Sequence, residues 1–313
     1  MTITQLKYVL AVAEHQNFTK AAEKCFVTQP TLSMQIQKLE DQLEIQIFDR
    51  SKKPIELTEV GRKIVLQSKN IVNEADRIND IVDQQKGFIG GEFKIGIIPT
   101  VMPTLLPMFL KTFIKRYPKI KLKIEELTTE EIIQRIKDGH LDAAIAATPL
   151  KNEYIKERVL FYEPFVGYIP DNHRLASKKM LDVSDLDVND LLLLEDGHCF
   201  RDGVLNLCNA KKTKDHDEFQ LQSGSFEMLT KLANEGMGMT LLPYLHTLDL
   251  KSNEQQRLHH FSEPSPAREV SLIFHKSELK MQIIEAMQTV ISGIIRGAIK
   301  FQDVKIISPL PKK

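Results

Sequence analysis

The sequence predicts an all-α N-terminal part, a long connecting helix and a larger α/β region. Three observations carry this: helical apolar spacing over about the first sixty residues, a stretch from 58 to 86 without proline, and alternating strand-like and helix-like segments beyond Gly91. At 313 residues the chain exceeds one ordinary domain. Its 42% hydrophobic content is ordinary for a globular protein. No run approaches the roughly 20 apolar residues of a membrane span. The opening MTITQLKYVLAVAEHQ lacks a basic region followed by an apolar core. An export signal is therefore not expected, and the chain is assigned to the cytoplasm with no membrane partner. The 42 basic and 42 acidic residues cancel, with seven of each in residues 1–58. That excludes a broad basic field, so any nucleic-acid contact must rest on local placement.

Residues 4–15 form the first expected helix, with Leu6, Val9, Leu10 and Ala13 on one face. A short second helix spans FTKAAEKC, opened by Asn17 or Thr19, and Phe26-Val27 makes the turn. Thr28 reads as the next N-cap, with Pro30 in the first turn, where its missing N–H costs nothing. Leu32, Ile36, Leu39 and Leu43 then make an apolar stripe, and Gln29, Thr31, Ser33, Gln35 and Lys38 lie opposite. Two short helices across a tight turn, the second polar at its exposed start, describe a helix-turn-helix. Such a unit presents hydrogen-bonding side chains to the major groove of double-stranded DNA. IFDRSKKPIELTEVGRK follows as a hairpin-like wing that sets Arg50, Lys52 and Lys53 toward phosphates. By pattern alone, a small helical cap with solvated polar faces accounts for the same residues about as well.

The run FTKAAEKCFVTQPTLSMQIQKLEDQL, continued by IQIFDR and LTEVG, resembles the LysR-type transcriptional regulators. The likeness is to their N-terminal winged helix-turn-helix and covers about the first 65 residues. Two positions depart from the family. Glu44 stands where glycine is usual, so the turn after the recognition helix is expected to close without positive φ. Cys25 stands where leucine is usual and reads as a small buried hydrophobe.

From 58 to 86 Gly61 is the only glycine, and Ile64, Ile71 and Ile78 recur every seven residues, alternating with Ser68, Ala75 and Val82. Such a repeat suits a helix packed on another helix, or on its own domain. The resemblance implies that this linker forms a homodimer interface, and a symmetric dimer reads two half-sites in promoter DNA. It also implies pairing of dimers into a tetramer and RNA polymerase as a partner. Gly87, Gly90 and Gly91 punctuate the boundary that follows.

Strands are then expected at Glu92–Ile98, Ile120–Leu127 and Leu141–Ala146, with helices at Pro103–Tyr117 and Thr129–Asp138. A second series places strands at Phe165–Ile169, Leu191–Leu194, Phe219–Gln222, Met239–Leu242 and Glu269–His275, before a final helix near Leu279–Ala298. The expected division is 1–58 for DNA binding, 59–90 for linker and hinge, 91–302 for an effector domain, and 303–313 for a tail. Within the effector domain, 91–163 and 269–302 make one subdomain and 164–268 the other. This pattern resembles the family's two-subdomain, periplasmic-binding-protein-like effector domain. Ligands gather at strand-to-helix junctions in such folds. Thr100, Thr129 and Ser225 sit at three of them, although each hydroxyl equally suits capping its own helix.

The stretch LLLLEDGHCFRDGVLNLCNA places Cys199 after His198 and two residues before Arg201. Cationic neighbours and helix N-termini favour the thiolate, the form that attacks an oxidant, while Asp196 and Asp202 oppose it. Attack on peroxide yields a sulfenic acid that a second thiol can convert to a disulfide. Were Cys208 that thiol, at the far end of one short helix, about 13 Å would separate the pair. A disulfide needs Cα atoms about 4.4–6.8 Å apart, so the helix would have to unwind. The same residues also read as ordinary packing at Cys208, an unreactive cleft thiol at Cys199, or a metal site with His198 and His216. Nine-residue cysteine spacing is nevertheless no structural zinc signature, and no metal or cofactor is expected.

GHCFRD followed by Cys208, together with GIIPTVMPTLLP around Thr100, resembles the peroxide-responsive members of the same family. That resemblance implies Cys199 as peroxidatic thiol, Cys208 as its resolving partner, and Thr100, Thr129 and His198 around the peroxide, with Arg201 activating the thiolate. It implies hydrogen peroxide as signal and antioxidant genes as targets. Phe200 and the Gly203–Asn209 stretch vary from the commoner versions. A family regulator answering a small anionic metabolite is the main rival. A thiol peroxidase is the other, yet the chain has no C-x-x-C, and it has no G-x-S-x-G, P-loop or G-x-G-x-x-G motif for other enzyme chemistry.

Overall fold

The computed structural model describes residues 1–85, 89–208, 223–299 and 303–310. They belong to two compact units, Met1–Phe88 and Ile89–Lys313.

The first unit contains α1 (Ile3–His15), α2 (Phe18–Lys24), α3 (Gln29–Leu43), the hairpin strands β1 (Phe48–Asp49) and β2 (Glu56–Leu57), and α4 (Glu59–Gln85). Thr2 caps α1 in a capping box with Gln5, and the Asn17 side chain accepts from the Thr19 and Lys20 amides at the start of α2. The apolar stripe of α3 (Leu32, Ile36 and Leu39) is buried against Leu6, Val9, Val12, Ala21, Ile47 and Phe48. Cys25 is half-buried against the same core. Gly61 is required by close approach, since a Cβ there would lie 2.0 Å from the Ile47 carbonyl oxygen. One expectation is corrected at Glu44: this residue does take the left-handed conformation, at φ +53°. The α3 helix ends there whether or not glycine is present, because the amides of Glu44 and Ile45 must return to carbonyls of the last turn. Along α4, Ile64, Ile71 and Val72 pack into this unit, whereas Ile78 is 63% and Val82 44% exposed.

The second unit runs β3 (Gly91–Ile97), α5 (Met102–Arg116), β4 (Ile120–Glu126), α6 (Thr129–Lys137), β5 (Ala143–Thr148) and β6 (Ile155–Tyr168). It continues through α7 (Cys199–Leu207), α8 (Phe226–Asn234), β7 (Thr240–Pro243), α9 (Tyr244–Thr247), α10 (Ser252–Gln255) and β8 (Leu258–His259). β9 (Ser265–His275), α11 (Met281–Ala298) and β10 (Val304–Ile306) complete it. The strand order is β4-β3-β5-β9-β6-β7, with β10 added to β9 and β8 to β6. β3 pairs in parallel with β4 and β5, while β9 runs antiparallel to both β5 and β6. The long β6–β9 ladder, from Ile155↔His275 to Pro164↔Ala267, joins two lobes. Lobe I has its core around Phe93, Ile95, Phe109, Phe113, Ile145 and Ile284, and lobe II around Phe165, Tyr168, Leu192, Leu229, Met239 and Leu242.

Three further readings need correction. β6 begins ten residues before the expected Phe165, because Lys156, Glu157 and Arg158 disguise its first half. Leu191–Leu194 is buried but forms only an isolated bridge, Leu191↔Met239, not a strand. An apolar run of four cannot by itself distinguish the two. The segment expected as a tail is docked over 303–310: β10 pairs with Ser265–Ala267, and Ile307 is buried in the lobe II core. Gly87 and the expected strand Phe219–Gln222 lie outside the described residues.

Candidate functional site

Cys199 is the first residue of α7, with His198 at the N-cap, so the sulfur sits at the positive end of a helix dipole. Its backbone belongs to lobe II, yet its side chain packs into the lobe I core. The next residue, Phe200, points the other way, into lobe II against Phe165 and Phe226. The thiol therefore lies on the boundary between the lobes.

Arg268 of β9 supplies the nearby positive charge. Its guanidinium is buried, donates through Nε to Glu163 Oε2 at 2.8 Å, and lies 5.2 Å from the Phe200 ring centroid. Nη1 donates to Thr100 Oγ1 and Nη2 to the Thr100 carbonyl, both at 2.9 Å. Glu163 in turn accepts from the Leu245 amide at 2.8 Å. Burial pushes the Cys199 pKa up, and the Arg268 charge and Thr129 hydroxyl work against that rise, whereas Asp202 adds to it. Burial is the larger effect, so the thiol is held toward its neutral form.

Capping of α6 falls to Thr128, whose side chain accepts from the Glu131 amide. Thr129 is released from that task, and its buried Oγ1 has no hydrogen-bond partner of regular geometry, while its nearness still favours the Cys199 thiolate. Thr100 is spent on Arg268. Ser225 caps α8 through the Met228 amide. The half-buried His198 places Nε2 3.6 Å from Glu195 Oε1, and a Cβ at Gly224 would come within 2.8 Å of that nitrogen. Arg201 departs from its expected role. It donates to the Leu194 carbonyl at 3.0 Å and pairs with Asp196 at 2.9 Å, and the cation acting on Cys199 is Arg268. A residue so distant in sequence could have been flagged only as one of two adjacent charges, Arg268 and Glu269, ahead of the run VSLIF.

Cys208 is the C-cap of α7, half-buried against the lobe II core, with its pKa pushed up to about 11 by burial and then by Asp187. Nine residue steps of helix separate the two free thiols, about 13 Å along the axis. Between them Asn206 donates from Nδ2 to the Ser308 carbonyl at 2.9 Å and the Leu310 carbonyl at 2.6 Å. The docked chain end thus fastens α7. Among the described residues no group of three or more His, Cys, Asp or Glu is placed to hold a metal ion, and His216 lies outside them.

In the first unit, Gln29, Thr31 and Lys38 are exposed on α3, and Ser33 and Gln35 are half-buried. Gln35 accepts from Gln5 Nε2 at 3.3 Å. Met34, absent from the sequence reading, shares the exposed face with Thr31 and Lys38. Lys52 and Lys53 stand exposed between β1 and β2. Arg50 remains exposed while pairing with Glu40 at 2.8 Å and lying 5.0 Å from the Phe18 ring centroid. The cause of the pairing is Glu40, which is buried while accepting from the Ile47 and Phe48 amides and so needs a counter-charge.

Residues 3–62 match the family described as bacterial regulatory helix-turn-helix protein, lysR family, and residues 86–291 match the LysR substrate binding domain. A hydrogen peroxide-inducible genes activator of Dickeya chrysanthemi is 34% identical over 274 residues, covering 88% of this chain and 89% of that protein. Full-length OxyR of Pseudomonas aeruginosa, solved as a cysteine-to-aspartate variant, superposes with a TM-score of 0.74 at 33% identity, covering 93% of this chain and 98% of that one. A cysteine-to-serine variant of Corynebacterium glutamicum OxyR, solved with hydrogen peroxide bound, superposes with a TM-score of 0.63 at 26% identity, covering 97% and 98%.

Proposed function

This chain belongs to the LysR family of bacterial regulators, and from that membership we propose that it is a cytoplasmic DNA-binding transcription regulator switched by hydrogen peroxide through Cys199 and Cys208. The observation that carries the reading is a single thiol at a helix N-terminus, seated between two lobes beside a buried Arg268 and a Thr129 hydroxyl that caps no helix.

In the proposed cycle the Cys199 thiolate attacks one peroxide oxygen. An S–O bond forms, the O–O bond breaks, and the departing hydroxide leaves as water after taking a proton. The Cys208 sulfur then attacks the sulfenic sulfur, forming the disulfide and releasing a second water with the Cys208 proton. Two thiols give up two electrons, and one peroxide becomes two waters. Thr129, whose hydroxyl is not engaged in capping, would hold the peroxide, and Arg268 would stabilise the negative charge as it develops on sulfur and oxygen. With about 13 Å between the cysteines and a disulfide needing Cα atoms within about 6.8 Å, closure would unwind α7. The exposed Ile78 and Val82 support a homodimer through α4, which would carry the lobe rearrangement to paired half-sites. A tetramer of two such dimers and contact with RNA polymerase at antioxidant promoters complete the reading.

The test is Cys199→Ser in the full-length protein, read as peroxide-dependent change in transcription from a bound promoter. The expected result is loss of the response with DNA binding kept; an unchanged response overturns the reading. The upward shift of Cys199 favours one rival, a regulator answering a small metabolite between the lobes, and that rival expects the response to survive the substitution.

A further inference from the structure

The turn between α2 and α3 contains a residue that folding does not explain. Phe26 has φ +56° and is 96% exposed, the most exposed large hydrophobic side chain among the described residues. A bulky residue is rarely found in this backbone region, where glycine or asparagine sits with less strain. The backbone there is fixed by hydrogen bonds from the Phe26 amide to the Glu23 carbonyl at 3.1 Å and from the Val27 amide to the Ala22 carbonyl at 3.0 Å. The ring contributes nothing to that closure and buries almost none of its surface in its own unit. Two unfavourable features therefore coincide at one residue, and strain of this kind points to a role outside folding.

Its position says which role. Phe26 precedes the N-cap of α3 by two residues, next to exposed Gln29 and Thr31. The N-terminal end of a recognition helix enters the major groove, which sets the preceding turn at the groove edge. The exposed Lys20 and Lys24 on α2 suit phosphates there better than an apolar protein surface. A phenyl ring cannot read hydrogen-bonding groups, and the apolar feature of the major groove is the thymine C5 methyl. We propose that Phe26 is a DNA-contacting, specificity-determining side chain whose ring packs on thymine methyl groups at the entrance of α3. The inference rests on the DNA-binding reading of this unit.

The test uses the full-length chain and duplexes it enriches from a randomised pool, each synthesised with thymine and again with uracil. The exchange removes the C5 methyl and leaves pairing unchanged. Wild-type protein is expected to bind the uracil duplex about fourfold more weakly per contacted methyl. Phe26→Asn, which suits the left-handed turn, is expected to keep the thermal stability of the parent and to bind both duplexes equally, at the wild-type affinity for uracil DNA. Wild-type binding indifferent to the methyl, or the same methyl preference in Phe26→Asn, overturns this inference alone. Failure to enrich any duplex overturns it together with the DNA-binding reading.

Discussion

Single residues set the chemistry at Cys199 through opposing contributions whose signs are known. Burial holds the thiol neutral, while the Arg268 charge and Thr129 hydroxyl favour the thiolate. With its pKa above the usual range, Cys199 carries little thiolate at neutral pH. Its rate of alkylation by a small reagent should rise about tenfold per pH unit through pH 7–9. Thr129→Val keeps the shape and removes the hydroxyl, so the pKa should rise further and the rate at pH 7 should fall roughly two- to tenfold. An unaltered rate profile would separate Thr129 from the thiol. In the first unit, Glu44 holds a left-handed conformation that glycine adopts without strain. Glu44→Gly should stabilise that unit by about 1 kcal/mol, seen as roughly fivefold slower amide exchange in α3 of the full chain. Positions fixed by local pattern were legible in sequence: Thr28 and Pro30 at the start of α3, although the Thr28 hydroxyl bonds to Thr31 Oγ1 and to no helix amide, and Cys199 at the start of α7. Arg268 was not, because only the β9 register brings it across 69 positions to the sulfur. Arg201 looked suitable by proximity in sequence, yet Asp196 and the Leu194 carbonyl claim it.

Elements determine which of these residues stay put. Glu40 links α3 to the wing by accepting two β1-side amides and pairing with Arg50. Glu40→Ala leaves those two buried amides without their acceptor and removes the Arg50 ion pair, and should cost about 3 kcal/mol, measured by urea unfolding of the full chain. A change below about 1 kcal/mol would show that the wing is held by packing alone. In the second unit, α7 is anchored at one end by Phe200 between Phe165 and Phe226 and near the other by Asn206 on the chain end. Loss of two hydrogen bonds weakens the helix by about 2 kcal/mol. Asn206→Ala should therefore speed disulfide closure once Cys199 is oxidised, read by stopped-flow quenching and thiol counting. Slower closure would mean that the chain end assists the rearrangement. Amphipathic helices such as α3 and α6 were legible because their period is a physical consequence of one buried face. The start of β6 and the docking of β10 were not. The first hides behind alternating charge, and the second depends on a strand edge that only the folded sheet provides.

At the scale of the whole molecule, the alternation of strands and helices beyond Gly91 announced an α/β architecture, and the β6–β9 ladder shows how two lobes are made from one chain. That ladder places Glu163 and Arg268 opposite one another at the lobe boundary and thereby builds the thiol's surroundings. The central claim is that a chemical event at one sulfur is tied to refolding of 199–208. The most direct measurement is peptide mass spectrometry of the full-length protein after sub-stoichiometric peroxide, combined with amide exchange over α7. The account expects an intramolecular Cys199–Cys208 crosslink together with lost protection between Cys199 and Leu207. Two unmodified thiols, or a crosslink formed while α7 keeps its protection, would contradict it.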